Sequence, residues 1–571
     1  MKINIQHENF KDNYVEQLLR ARHITEIQKF LFPGEADIEP WGNLDNINAG
    51  ISLITNLSAT ANVGLIVDAD VDGYTSAAII YQYLMRLYPR ISIKYYIHKG
   101  KQHGLEDFID EIKEEKFDLL IIPDAGSNDY EYLAQIDYPV LIIDHHEVEH
   151  IEQIPSNAVL VNNQSSPMYE NKYMSGAGLV WQFCRGMDDV FGEIYAADYV
   201  DLAAVGVCGD MMSGLEIENQ ALWKYGFNHI KNFFLQTLIE KQSFSMNGEV
   251  TPMTVAFYVV PLMNAMIRMG TMEEKHRLFE ALIDGQKLVE SHKRGARGEY
   301  VPLATESVRE CVNAKAHQKK LVDQIMDSLS IKIEKYGLLD NKVLFIRLDD
   351  DDSFPPEING LVAMQCVSKY KRPTIVARVN PEGYIKGSAR GVNNSQLESF
   401  KDFLIDSNLF EYAQGHAQAF GISIKNKNLT DFHTYANAAL KDYNFGETCY
   451  EADFIRTPYD SDLKTLIEEI YTYRDIWAVQ NPEPLIYIKD INLPASSVQI
   501  IGKNKDTLKF SINGITYIKF FAKEMIEQVT QLGELHFEII GKANVNEYMG
   551  TLTPQIMIEN YEVRETKLTD F

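Results

Sequence analysis

Cysteine is scarce in this chain: five in 571 residues, Cys184, Cys208, Cys311, Cys366 and Cys449, with no CxxC pair among them. That argues against a zinc ribbon and a disulfide scaffold, and it suits a reducing cytosol. Long apolar runs are missing too, since no uninterrupted stretch approaches the ~18 residues of a membrane-spanning helix. The opening residues, MKINIQHENFKDNYVEQ, lack the apolar core of a secretory leader. A soluble, cytoplasmic protein is expected. Positive charge is in short supply, with 54 Lys and Arg against 81 Asp and Glu and a formal net charge of -27. This balance argues against a broad basic face for nucleic acid. A narrow basic groove, or bound metals supplying the positive field, stays compatible with it.

The length points to three or four domains, and the composition, 45% hydrophobic and 24% charged, is that of a globular chain. The most unusual stretch is GLIVDADVDG, residues 64–73, where an apolar run empties into carboxylates at every second position: Asp68, Asp70 and Asp72. Thr75-Ser76 then open a segment with apolar residues at helical spacing, so the pattern predicts strand, acidic loop, helix. Three carboxylates this close repel one another unless cations sit between them, and hard divalent ions are the natural neutralisers of such a site.

Further apolar strands are predicted at 91–97, 118–123, 140–143 and 158–163, with helical or loop material between them. Continuous apolar strands joined by crossovers read as a buried parallel sheet covered by helices on both faces. Ligands of such sheets sit beyond the carboxyl ends of the strands. There the sequence places Asp124, then Asp144, His145 and His146. Imidazole with carboxylate suits manganese, magnesium, zinc or iron, and the carboxylate excess favours the first two. Asp210 follows an Ala-rich apolar helix that opens at Asp201. Residues 215–330 read as mostly helical, with Arg268 in the apolar segment FYVVPLMNAMIRMG, placed either to snorkel or to face a phosphate. A second, smaller α/β domain is expected near 340–430, after the acidic break DDDSFPPEING. Its turns KGSARG and GHAQAFG would let a phosphate approach backbone N–H groups beside Ser388, Arg390 and His416. Residues 450–480 read as helical. From about Ile486 short alternating strands predict a small all-β, OB-like barrel. There Lys503, Lys505, Lys509, Lys519 and Lys523 interleave with Phe510, Tyr517, Phe520 and Phe521, aromatics that serve either a single-strand platform or the barrel core.

DADVDG, PDAGSND, DHHE and the later GD together resemble the DHH phosphoesterase superfamily. Over nearly the whole chain the resemblance is to its RecJ branch of single-strand-specific exonucleases, with NEYMGTLTPQIMIENYEV similar to that branch's oligonucleotide-binding signature. The resemblance implies an α/β parallel-sheet DHH domain, a smaller α/β DHH-associated domain and a C-terminal OB-like domain. The segments are a helical extension (1–60), the DHH domain (61–235), a helical connection (236–335), the DHH-associated domain (336–430), a helical linker (431–484) and the OB-like domain (485–571). It implies degradation of single-stranded DNA from the 5' end to 5'-mononucleotides with two Mn2+ or Mg2+ ions, in DNA repair and recombination. Carried over, Asp68 and Asp70 hold one metal, Asp72, His145 and Asp210 the other, and Asp124 bridges. His146 lies near the scissile phosphate, with Asp144 fixing the histidines. Arg390 and His416 grip substrate phosphates from the second domain. Beside the resemblance, Arg268, Ser388, Lys503, Lys505 and Lys519 stand as candidate substrate contacts from the residues themselves. Single-stranded DNA is the expected partner of a monomer, with a single-strand-binding protein or a helicase as recruiting proteins and no membrane.

The sequence departs from the family pattern at two places. Gln414-Gly415 stands where the family shows two glycines, and Gly391 follows the GSAR arginine in place of serine. Smaller DHH enzymes that cleave short oligoribonucleotides, cyclic dinucleotides or pyrophosphate share the metal motifs, but they resemble only the first two domains. A non-catalytic single-strand-binding replication scaffold is the other alternative.

Overall fold

In a computed structural model the chain divides into two compact units: His23–Gln318 with Tyr473–Pro482, and Met1–Arg22 with Lys319–Thr472 and Glu483–Phe571. The structure describes residues 2–6, 10–348, 354–380, 382–393, 395–446, 449–548 and 550–565. Residues 350–353 of the expected acidic break therefore lie outside the described residues, as does residue 549 of the terminal signature.

The first unit is built on a five-stranded, all-parallel sheet. In chain order its elements are β1 (Asn62–Val67), α1 (Val71–Leu87), β2 (Ser92–Ile97), β3 (Leu119–Pro123), β4 (Val140–Asp144), β5 (Ala158–Asn162), α2 (Gly176–Phe191) and α3 (Val200–Gly209). The strand order is β2-β1-β3-β4-β5. β3 and β4 are buried at every residue, which is why they read as unbroken apolar runs. The period of two still operates inside them. Leu65, Val67, Ile121, Leu141 and Ile143 face one core, shared with α1, α2 and α3. Ile66, Leu120, Ile122, Val140 and Ile142 face a second core on the other side. Both faces of the sheet are thus closed, and the carboxyl ends of the strands are left as the place where polar side chains collect.

After α3 the unit is mostly helical, including α4 (Val260–Met269), α5 (Met272–Asp284) and the first part of the long α6 (Leu303–Lys335), which leaves the unit after Gln318. The helical stretch Pro252–Met269 is long and apolar enough by composition to cross a membrane, and half of it is buried inside the protein. This tempers the expectation from apolar runs. Pro261, Asn264 and Arg268 interrupt the run, and the buried half packs in the core.

The second unit carries two larger sheets and a two-stranded one. The first has strand order β9-β10-β8-β7-β6, from β6 (Leu344–Leu348), α7 (Asn359–Tyr370), β7 (Thr374–Val379), β8 (Tyr384–Arg390), β9 (Phe410–His416) and β10 (Ala419–Lys425). Only β6 and β7 run parallel; the remaining pairs are antiparallel. The other is the C-terminal sheet, of seven strands in the order β11-β12-β16-β17-β15-β14-β13. These strands are β11 (Phe454–Arg456), β12 (Leu485–Pro494), β13 (Gln499–Ile501), β14 (Thr507–Ile512), β15 (Ile515–Lys519), β16 (Glu534–Tyr548) and β17 (Thr551–Glu565).

Two sequence expectations are corrected here. The preface over residues 1–60 is not all helical: Lys2–Ile5 is a strand that pairs in parallel with Cys449–Ala452. Likewise, helix within 450–480 is confined to Leu463–Thr472 plus a short 3-10 turn, and Phe454–Arg456 joins the C-terminal sheet beside β12. In both cases the alternation covers only three or four residues, too few to distinguish a strand from a helix turn without its pairing partner.

Candidate metal centre and active site

β1 ends at Val67, and the next five residues deliver three carboxylates by different local devices. Asp68 is buried, and both of its oxygens are engaged from the loop after β2: His103 Nδ1 lies 2.5 Å from Oδ2, and Gly104 N donates to Oδ1 at 3.1 Å. Asp70 is the N-cap of α1 and accepts from Gly73 N at 3.0 Å. Asp72, in the first turn of α1, reaches across to the start of α2. Its Oδ1 accepts from Ser175 Oγ (2.9 Å) and Ala177 N (3.0 Å), and its Oδ2 from Gly176 N (2.7 Å). A carboxylate there is favoured by the free N–H groups and dipole of a 16-residue helix. The Asp72 carboxylate is therefore held still.

β3 delivers Asp124, whose N–H bonds Ile143 O at 2.8 Å. Its φ of +63° is left-handed, an uncommon state for a residue with a side chain. Gly176 is required beside it, because a Cβ there would lie 2.3 Å from Asp124 Oδ1. β4 delivers the next three. Asp144 is buried and collects donors: Ser127 N on Oδ2 at 3.0 Å, and His145 N (2.7 Å) and His146 Nδ1 (2.7 Å) on Oδ1. Thus Asp144 orients both histidines. His145 Nε2 points between two carboxylates, 3.3 Å from Asp124 Oδ1 and 3.5 Å from Asp210 Oδ2. Asp210 stands at the C-cap of α3.

The electrostatics separate these groups. Burial first, and then repulsion from Asp72, Asp70, Asp68 and Asp210, pushes the Asp124 carboxyl well above the carboxylate range. Asp70 is pushed up to about 6 by burial and its neighbours Asp68 and Asp72. Asp210 is pushed up to about 8 by burial and by Asp72 and Asp70. Burial and the charge of His146 lower the His145 pKa, so its ring is neutral and able to donate a lone pair. His146 is the opposite case: burial works against its charge, yet Asp144 overcomes this and raises it to about 9. In turn His146 outweighs burial at Asp144 and keeps that carboxyl well below its ordinary value.

The donor set fits divalent cations. Asp124 Oδ1 is buried with no hydrogen-bond partner among the described residues. Asp68, Asp70 and Asp124 each bring an oxygen to within 4.8 Å of the others, and Asp72, His145 and Asp210 form a second such group. A buried cluster whose members repel one another, with a neutral imidazole and an orphaned oxygen among them, lacks positive charge that an ion would supply.

Sequence reasoning missed three residues in this unit. His103, which holds Asp68, is on the loop after β2; the signal was available, because that strand also ends at the ligand side of the sheet and is followed by His98 and His103. The buried His98 has Nε2 3.9 Å from Asp68 Oδ1. Lys315, on α6, feels the charge of Arg268, and Arg268 feels Asp70.

The other expected residues lie in the second unit. Ser388 and Arg390 end β8, and His416 is exposed at the end of β9. Arg390 lies against Gly360 near the start of α7, where a Cβ would meet its Nη2 at 2.4 Å. The two departures from the family pattern have local reasons. A Cβ on Gly391 would run into Gln418 Oε1, and that side chain is tied to Leu397 O (2.8 Å) and Glu398 O (2.9 Å). Gly415 keeps a φ of +131°, so the glycine retained in the Gln414-Gly415 pair is the one the backbone needs.

In the C-terminal sheet Lys503 and Lys505 are exposed, but Lys519 is corrected. Its ammonium donates to Ile558 O (3.2 Å) and Glu559 O (3.0 Å), which leaves it poorly placed to hold a phosphate. The aromatics divide as well. Phe510 and Tyr517 stack in the core with ring centroids 5.0 Å apart, while Phe520 and Phe521 are exposed.

A parallel sheet carrying this carboxylate and histidine set at its carboxyl ends defines a DHH-type phosphoesterase, and the family model for the DHH family, N-terminal domain, matches residues 62–207. A second model, the RecJ OB domain, matches residues 464–560. The chain is 36% identical over 561 residues to YorK, an SPbeta prophage-derived protein of Bacillus subtilis named for single-strand DNA-specific exonuclease activity, covering 96% of each. It is 25% identical over 526 residues to the single-stranded-DNA-specific exonuclease RecJ of Bacillus subtilis, covering 88% of this chain and 61% of that one. Among solved structures, Thermus thermophilus RecJ in complex with Mn2+ matches with a TM-score of 0.70 at 18% identity, over 99% of this chain and 80% of that one. The corresponding Mg2+ complex matches with a TM-score of 0.66 at 18% identity, over 99% and 79%. At that identity the structural likeness shows the fold. The chain belongs to the RecJ-like family of DHH exonucleases.

Proposed function

We propose that this chain is a single-stranded-DNA-specific exonuclease that hydrolyses phosphodiester bonds from the 5' end with two divalent ions, releasing 5'-mononucleotides, in repair or recombination. The observation that carries the reading is the mutually repelling set of buried Asp124 with partly buried Asp70 and Asp210 around a neutral His145, two groups of which bring their ligand atoms within 4.8 Å of one another. Asp68, Asp70 and Asp124 would hold one ion and Asp72, His145 and Asp210 the other, with Asp124 shared. Mn2+ or Mg2+, when bound, supplies water activation and neutralises charge developing on phosphate.

The chain's own residues do the rest. His146, kept protonated by Asp144, donates to a phosphate oxygen and stabilises charge as the bond breaks. Asp144 is a positioning residue, fixing the histidines through the bonds it accepts from His145 N, His146 N and His146 Nδ1. Asp124, in a left-handed backbone conformation, would be the ligand common to both ions. Arg268 holds a substrate phosphate beside Asp70. Ser388, Arg390 and His416 of the DHH-associated domain (336–430) and Lys503 and Lys505 of the OB-like domain (485–571) are further candidate substrate contacts. The remaining assignments are an N-terminal extension (1–60), the DHH domain (61–235) and connecting segments at 236–335 and 431–484. The protein acts as a monomer on single-stranded DNA, with a single-strand-binding protein or a helicase as candidate recruiting proteins.

The test uses one single-stranded DNA labelled at either end, in Mn2+ or EDTA, with Asp124→Asn as control. Immediate release of a labelled mononucleotide from the 5' end, lost in EDTA and in the variant, is expected. Release from the 3' end overturns the polarity. Retained binding without cleavage favours a scaffold, and cleavage confined to dinucleotides or pyrophosphate favours the smaller DHH activities.

A further inference from the structure

The fold treats the two histidines that follow β2 in opposite ways. His103 is exposed and engages Asp68 through Nδ1. His98, the first residue after the strand, is only 1% exposed. A buried histidine normally has its ring nitrogens satisfied. Here Nδ1 lies 3.1 Å from Asp107 Oδ2, whereas Nε2 is buried with no hydrogen-bond partner among the described residues. That nitrogen faces Asp68 Oδ1 at 3.9 Å, too far for a hydrogen bond.

The ring is fixed where it stands. Phe108 packs against it with ring centroids 4.5 Å apart. The buried Lys275 of α5 donates to Lys99 O at 2.6 Å, which ties the chain just beyond His98 to a helix. A carboxylate is an acceptor, so Nδ1–H donates to Asp107 and Nε2 is the nitrogen whose lone pair is free for a cation. A lone pair and a carboxylate oxygen thus share one buried gap. Donors around one octahedral ion with bonds of about 2.1 Å stand roughly 3.0–4.2 Å apart, and the separation of 3.9 Å falls in that range. A histidine that ligates a metal typically donates its other ring N–H to a carboxylate. Asp107 is that carboxylate for His98.

We propose that His98 is a ligand of the ion assigned to Asp68, Asp70 and Asp124, with Asp107 as the positioning residue that orients its ring. The inference deepens the two-ion reading above and rests on its ion sites. Each ion then has one imidazole nitrogen, from His98 at one site and from His145 at the other. Mg2+ is the harder, oxygen-seeking ion. A second nitrogen therefore favours Mn2+ over Mg2+, and His98 sets the metal preference of its site.

The experiment loads the whole chain with Cd2+, a surrogate for Mn2+, and records cadmium NMR without DNA. A nitrogen ligand moves a cadmium resonance downfield of an all-oxygen site. Wild type is expected to show two resonances of the nitrogen type. His98→Gln should return one of them to the all-oxygen position. Calorimetric titration should show Mn2+ affinity at that site lowered roughly tenfold or more, with Mg2+ affinity changed less. Asp107→Asn should weaken Mn2+ binding in the same direction by a smaller factor. His103→Gln and His146→Gln should each keep both nitrogen-type resonances, which assigns the second nitrogen to His98 even where His98→Gln does not fold. A single nitrogen-type resonance in wild type, or wild-type Mn2+ affinity in His98→Gln, overturns the ligand and leaves the nuclease reading intact. Two nitrogen-type sites in a protein that cleaves no DNA in Mn2+ overturn the nuclease reading and leave His98 a ligand.

Discussion

Asp70→Asn should make the metal-free protein more stable and the metal-treated protein less responsive, and the size of the first effect follows from the site. The substitution is nearly isosteric and keeps the helix start intact, because Asn caps as well as Asp and can still accept from Gly73 N. What it removes is a carboxyl pushed from 3.8 up to about 6 by burial, Asp68 and Asp72. A raised acid pKa means the folded state binds more protons than the unfolded chain between those two values. Stability therefore falls as pH rises through that window, and the deficit is complete above about 6. That change corresponds to about 3 kcal/mol. In EDTA at pH 7.5 the variant should thus exceed wild type by up to about 3 kcal/mol, several degrees in the melting of the unit that carries the sheet. At pH 4 the gain should vanish. With Mn2+ the order should reverse, since wild type gains binding free energy that the variant lacks. Scanning calorimetry from pH 4 to 8, with EDTA and with Mn2+, reads all of this. A variant less stable than wild type in EDTA at pH 7.5, or stabilised equally by Mn2+, would refute the reasoning.

Asp144→Asn should return the His146 pKa from about 9 toward its ordinary value, shifting the alkaline limb of kcat/KM to lower pH; histidine NMR titration in EDTA checks the assignment. Because the folded value is raised, the stability that His146 contributes is complete below about 6.5 and lost as pH rises through about 9, a loss the variant should not show. Gly176→Ala places a Cβ 2.3 Å from Asp124 Oδ1, so it should lower Mn2+ affinity and activity together and cost about 1–3 kcal/mol in stability; isothermal titration and calorimetry separate the two. Lys503→Ala with Lys505→Ala should flatten the salt dependence of single-strand binding by about 0.7 per lost phosphate contact; fluorescence anisotropy at several salt concentrations tests it, and an unchanged slope removes both lysines from the interface.

Much of the catalytic sheet can be read without coordinates because fully buried parallel strands leave a strong trace. Leu119–Pro123 and Val140–Asp144 are unbroken apolar runs, and each delivers charged residues where the run stops. Lys2–Ile5 and Phe454–Arg456 leave almost none, because three or four residues cannot show a period and their pairing partners lie hundreds of residues or a linker away. His103 is a similar case at the level of the site. Its role comes from a turn that brings it back onto Asp68, 35 positions earlier, and spacing does not encode that return.

The interleaved lysines and aromatics near the C-terminus show the same boundary. Alternation predicts strands there, but it does not say which face is inside, since a one-residue change of reference exchanges core and surface. The tertiary structure puts Phe510 and Tyr517 in the core, leaves Phe520 and Phe521 outside, and ties up Lys519.

By itself, then, the sequence determined the order of elements around the catalytic sheet and the chemical type of the groups at its strand ends. Local patterns suffice there, because burial on both faces demands apolar runs and a metal site demands clustered carboxylates. Only the tertiary structure decided which of those groups are satisfied and which are not. Asp72 and Asp144 are held by backbone and side-chain donors, whereas Asp124 is left with an orphaned oxygen and a raised pKa. The distinction depends on long-range approach, such as Gly176 leaving room for Asp124 and the start of α2 meeting Asp72 across 104 positions, and long-range approach is a property of the folded chain.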